Sequence, residues 1–172
     1  RVDWNSYARF EKLYMKIFLE EKQANINLFV DSSNSMSEGN KSLYSKSLAA
    51  SIAYIALKNM DKVNLFGWSD GLQQKKLNTH SSNRFMEVVQ FLSGLEQKGK
   101  TSFTKTIKEC GSLHLGRGIS FVFSDFLTED NWKESMKLLQ YKKQEIVLVW
   151  VLGQQDIMPS QKGSFRLVDK ET

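Results

Sequence analysis

Hydrophobic positions along this chain follow two spacings: short runs of β-branched and aromatic residues, and longer stretches with apolar side chains three or four apart. Ile26 to Val30 is the first clear strand, and Leu48, Ile52 and Ile55 then recur at helical spacing from about Lys41 to Asn59. Ala49, Ala53 and Ala56 put small residues on an adjoining face, so this helix can press closely on a sheet. Val63 to Trp68 reads as a second strand, and Ser69-Asp70-Gly71 turns it into a polar, weakly stranded stretch from Leu72 to Leu77 that reads as an edge. Phe85, Val88, Val89, Leu92 and Leu95 mark the next helix and Gly99-Lys100-Thr101 interrupts. A helix through Phe103, Ile107 and Cys110 then runs to about Leu115, where Gly116 and Gly118 stop it. Ile119 to Phe123 is a further strand, and Trp132, Met136 and Leu139 outline the helix after it. The continuous apolar run Ile146 to Leu152 is expected as a strand buried on both faces, and Phe165 to Val168 adds a last strand after Pro159 and Gly163. At the start, Leu13, Met15, Ile17 and Leu19 alternate like a strand, the favoured reading, although Met15 to Glu21 would also tolerate helix. It is expected to form a hairpin with residues 26–30 across Glu21-Lys22-Gln23-Ala24, making residues 1–25 an extension packed on the sheet.

Strand, polar loop and helix recur, which predicts an α/β fold: a three-layer, open, mostly parallel sheet with helices on both faces and one antiparallel edge strand. No internal repeat, low-complexity tract or linker divides the chain, and 172 residues suit one domain spanning 1–172. The chain opens at Arg1 without an initiator Met and closes on Lys170-Glu171-Thr172 without a turn or tail signal, so it is expected to be a piece of a longer protein. No apolar run approaches the roughly 20 residues that span a bilayer. The expected setting is cytoplasmic, and the domain could be tethered there to the membrane through missing N-terminal segments. A net charge of +5 permits anionic partners, but it is spread along the chain rather than gathered in a tract. The lone Cys110 has no disulfide partner and is expected to be buried and inert, and His80 and His114 lie far apart with no ligand spacing around them, which argues against zinc.

The candidate chemistry sits at strand ends. Directly after Val30 come Asp31-Ser32-Ser33-Asn34-Ser35, and alternate residues of an extended segment point the same way, so Asp31, Ser33 and Ser35 can present three oxygens on one side of a loop. Taken alone, such a pentad serves equally well as a turn that caps the next helix. In an open α/β sheet, however, loops from neighbouring strands meet beyond the carboxyl ends. The strand ending at Phe123 delivers Ser124-Asp125 to the same edge, and the loop before the Cys110 helix can bring Thr101 over it. Two carboxylates and three hydroxyls are hard oxygen ligands of the kind that suit Mg2+ or Mn2+.

These residues resemble the metal-ion-dependent adhesion site of von Willebrand factor A-like domains, an Asp-x-Ser-x-Ser loop, a Thr from a second loop and an Asp from a third. Asp31, Ser33, Ser35, Thr101 and Asp125 match it by type and order. A closer likeness covers nearly the whole chain: Arg1-Val2-Asp3-Trp4, Ala8-Arg9, Glu20-Glu21, the helix from Ser47 to Leu57 and the ending from Gly163 to Thr172 are similar to the bacterial family called domain of unknown function 58. Lys100 stands where that family commonly has Gly, and Ser102 where it commonly has Asp. The resemblance implies a Rossmann-like fold and a non-enzymatic module whose bound metal recognises a carboxylate on a protein partner. It also implies work with a MoxR-type AAA+ ATPase in protein assembly or maturation. Two other classes stay open. Asp31 could be the nucleophile of a magnesium-dependent phosphohydrolase, although Ser33 stands where such enzymes carry a second Asp and no His, Lys or Cys acid is evident beside it. Lys98, Lys100, Lys105 and Lys108 could bind nucleic acid, although they read better as an exposed helix face.

Overall fold

A computed structural model describes residues 23–158 apart from His114 and Glu129. Five strands, β1 (Asn25–Asp31), β2 (Lys62–Ser69), β3 (Gly71–Thr79), β4 (Gly118–Ser124) and β5 (Gln144–Trp150), form one sheet in the order β3-β2-β1-β4-β5. β1, β2, β4 and β5 run parallel and β3 is the antiparallel edge. The helices are α1 (Lys41–Lys58), α2 (Phe85–Ser93), α3 (Phe103–Glu109), α4 (Trp132–Tyr141) and the single turn α5 (Gln154–Ile157).

The period of two along the strands divides the core between the faces of the sheet. Leu28, Val30, Val63, Leu65 and Phe123 pack with Ala49, Ala53 and Leu57 of α1 and with Val88 and Leu92 of α2. Phe29, Phe66, Trp68 and Val122 pack on the other side with Phe103 and Ile107 of α3 and Met136 and Leu139 of α4. The rings of Phe29 and Phe66 stack at 4.5 Å between centroids. This is the three-layer α/β arrangement expected from the sequence. Below the aromatic layer runs a buried polar row that the pattern did not reveal: Asn64 Nδ2 donates to Asn27 Oδ1 at 2.8 Å, and Asn27 Nδ2 donates to Gln144 Oε1 at 2.6 Å.

Four expectations need correcting. Leu48 and Ile55 are exposed, and it is the alanine face of α1 that meets the sheet. Small side chains at Ala49, Ala53 and Ala56 let the helix backbone come close to the sheet. β5 is not buried on both faces: among the described residues it has β4 on one edge only, and the neighbours Val147 and Leu148 are both exposed, as is Trp150 at 67%. The Cys110 helix ends at Glu109 and tightens into a 3-10 turn over Cys110–Ser112, a common way to close a helix. Finally, β1 is paired with β2 over residues 25–31 and with β4 over 25–30, so neither of its edges is open to a hairpin with the residues before it. Residues 1–22 and the expected strand at Phe165 to Val168 lie outside the described residues. Cys110 is buried as expected, and burial pushes its thiol up to about 11.

Candidate functional site

Parallel pairing of β1 with β2 and β4 brings their carboxyl ends to one edge, and the chemistry starts at the last residue of β1. Asp31 is fully buried, and both its oxygens are engaged. Oδ1 accepts from the Ser33 backbone N–H at 2.9 Å and Oδ2 from the Ser124 hydroxyl at 2.5 Å. The turn that the Ser33 bond closes aims the next residues back over the strand end, and the hydroxyls of Ser33 and Ser35 lie 3.0 Å apart.

The second loop is stitched to the first by backbone. Lys98 N–H donates to Ser32 O at 2.8 Å, and Asn34 N–H donates to Gly99 O at 3.0 Å. Gly99 has φ +79°, a conformation that L side chains rarely adopt, and this carries the chain to the buried Thr101. Ser102 N–H reaches Ser69 O on β2 at 2.8 Å. The third loop closes the ring: Thr128 Oγ1 donates to Thr101 O at 2.9 Å, Thr104 N–H donates to Asp130 at 2.7 Å, and Leu127 N–H donates to Asp125 Oδ1 at 3.2 Å. Thus Asp31, Ser33 and Ser35 are brought together directly. Asp125 joins them through its neighbour Ser124, and Thr101 joins through a backbone held by both other loops.

Sequence reasoning missed the cation of this cluster. Lys41, the first residue of α1, is 1% exposed, and its ammonium lies 2.8 Å from Asp125 Oδ2 and 3.2 Å from Asp156 Oδ2 of α5. A lysine in a polar stretch reads as solvated. The one available signal is its place at a helix N-terminus, where the macrodipole disfavours positive charge unless carboxylates answer it. Burial opposes the Lys41 charge, but Asp125 and then Asp156 outweigh it and hold the ammonium above its ordinary value. Asp156 is kept below the usual carboxylate range by the Gly153 N–H at 2.8 Å and by Lys41, against a smaller effect of burial. Among the described residues Asp31 has no such cation. Burial pushes its carboxyl up to about 7, the bonds from Ser124 and Ser33 only partly offset that, and the neighbouring Asp125 adds to it. Trp150, expected in the core, instead stands at the rim and donates from Nε1 to Asp125 O at 3.0 Å.

Among the described residues no group of three His, Cys, Asp or Glu side chains is placed to hold a metal. Any ion here would rest on hydroxyls, carboxylates and water. The geometry fits that: adjacent ligands of an octahedral ion at 2.0–2.1 Å stand roughly 2.9 Å apart, close to the 3.0 Å between Ser33 Oγ and Ser35 Oγ. Ser33, Ser35 and Thr101 would supply neutral oxygens, and Asp31 and Asp125 the charge. A separate cleft of about 610 Å3, lined by Asn25, Arg117, Gly118 and Lys143 among others, opens at the opposite end of the strands and has no part in this site.

A mostly parallel five-stranded sheet with one antiparallel edge strand and helices on both faces, its loops converging on an Asp-x-Ser-x-Ser turn, is an α/β fold of the von Willebrand factor A kind. The chain belongs to the DUF58 family, described as proteins of unknown function, whose sequence model matches residues 1–172. No curated protein matches it. Among solved structures it is similar to the conserved hypothetical protein BatB from Bacteroides thetaiotaomicron, with 18% identity and a TM-score of 0.56 over 73% of this chain and 65% of that one. Proximal thread matrix protein 1 from the mussel byssus is also similar, with 12% identity and a TM-score of 0.58 over 73% of this chain and 36% of that one. The chain therefore spans between about a third and two thirds of those proteins, and the likeness is one of fold.

Proposed function

We propose that this domain is a non-enzymatic, metal-dependent protein-interaction module in which Mg2+ or Mn2+ at Asp31, Ser33, Ser35, Thr101 and Asp125 receives a carboxylate from a protein partner. The observation that carries the reading is the pair of Ser33 and Ser35 hydroxyls, hydrogen-bonded to each other at a spacing that also suits adjacent ligands, beside a buried Asp31 that has no cation of its own among the described residues. An ion held largely by neutral hydroxyls stays electrophilic and accepts an incoming anionic oxygen. Ser35 is the one residue of the five that is only half-buried, so approach is from its side. The family resemblance supports a MoxR-type AAA+ ATPase acting in concert with this module in protein assembly or maturation.

A phosphohydrolase is the weaker reading. Lys41 does stand beside the site, contrary to expectation, but its proton is held by two carboxylates, and Asp31 is fully buried with both oxygens bonded, a poor posture for nucleophilic attack. Three of the four lysines considered for nucleic acid have carboxylate partners: Lys98, Lys105 and Lys108 lie 3.6, 3.3 and 3.4 Å from Glu96, Asp70 and Glu134. The test is retention of a partner on the immobilised domain in Mg2+ buffer. Release by chelator and loss on Ser33→Ala are expected, with one Asp or Glu of that partner essential. Retention that survives both treatments would place the interaction elsewhere on the domain.

A further inference from the structure

We infer that Lys41 is the resident cation of this site, competing with the divalent ion for Asp125 and moving toward Asp156 when the ion binds. The inference rests on the metal-binding reading and names what regulates it. An ammonium is almost never fully buried without partners, because taking it out of water costs several kcal/mol unless close opposite charges offset the loss. Here the partners come from two places in the fold, Asp125 after β4 and Asp156 in α5, and the Lys41 stem lies against Gly153 at the base of α5.

The two carboxylates are not equivalent. The Asp125 side chain is fully buried and belongs to the proposed ligand set, whereas that of Asp156 is 25% exposed and also takes the Gly153 N–H. A metal ion seated on Ser33 and Ser35 attracts Asp125 and repels the ammonium that Asp125 now holds, and Asp156 offers Lys41 a second seat without returning it to water. The charges fit this exchange. Asp31, Asp125 and Asp156 carry three negative charges when ionised, Lys41 carries one positive, and a divalent ion brings the sum to zero. Metal occupancy is thereby linked to α5, whose last residue Ile157 stands exposed together with Met158 just after it.

The experiment compares Mn2+ and Mg2+ affinity, by calorimetry, in the native chain and in Lys41→Met, which keeps the stem and removes the charge. Affinity at least ten-fold tighter in the variant is expected, together with a larger rise in melting temperature on metal addition. If the native chain binds and Lys41→Met binds equally or more weakly, the competition is overturned and the metal reading stands. If only Lys41→Met binds, the metal reading of the native chain falls and Lys41 is upheld as the cation that fills the site. If neither folded protein binds, both are overturned. Should Lys41→Met fail to fold without metal, Asp156→Asn serves instead, since it leaves Lys41 no second seat; affinity at least three-fold weaker is expected, and unchanged or tighter affinity overturns the inference.

Discussion

Asp31 makes the metal-free site pH-sensitive in a direction that follows from its burial. Its carboxyl titrates at about 7 in the folded chain against an ordinary value of 3.8, so between these values the folded state holds a proton that the unfolded state has lost. Stability from this group is therefore full at the acid end of the window and declines as pH rises through it. In chelator, the melting temperature is expected to fall by several degrees between about pH 5 and about pH 7.5, at roughly 2–4 °C per kcal/mol for a chain of this size. Asp31→Asn should flatten the profile, and so should saturating Mg2+; a native profile in chelator as flat as that of the variant would contradict the assignment. At this scale the Asp31, Ser33 and Ser35 spacing was legible because a strand end enforces it. Lys41 was not legible, because its partners are 84 and 115 residues away in sequence and no local pattern records them.

α1 shows how an element can be legible while its buried face is not. Leu48, Ile52 and Ile55 announce a helix by period, yet hydrophobicity does not rank its faces, since Ala49, Ala53 and Ala56 carry less apolar surface than Leu48 and Ile55, which are left outside. Close approach decides it: Ala53 is fully buried against the sheet, and at Gly67 on β2 a Cβ would collide with Leu95 in the same layer. Ala53→Leu is expected to cost about 1–3 kcal/mol by overpacking. Leu48→Ala and Ile55→Ala should each change stability by no more than about 0.5 kcal/mol. Urea denaturation distinguishes the two classes, and a large loss on Ile55→Ala with none on Ala53→Leu would reverse the assigned faces. β5 misled for a related reason: a run of apolar residues tells that a strand is present but not whether it lies at an edge.

At the scale of the molecule, parallel strands gather loops that are distant in sequence: backbone hydrogen bonds join residues 32–34 to 98–99, and the side chains of Ser124, Thr128 and Asp130 tie the third loop to the other two, closing one ring. The alternation of strands and helices was enough to foresee that gathering. The ring is the framework on which the proposed ion, the partner's carboxylate and the Lys41 exchange all depend, so the ion is the first thing to measure. Calorimetric titration of the folded domain with Mg2+ and with Mn2+ is the most direct measurement. One ion per chain is expected, with binding weakened about ten-fold or more in Ser33→Ala and in Thr101→Ala. Absence of both heat and thermal shift with either ion, in a sample whose circular dichroism shows it folded, would contradict the account.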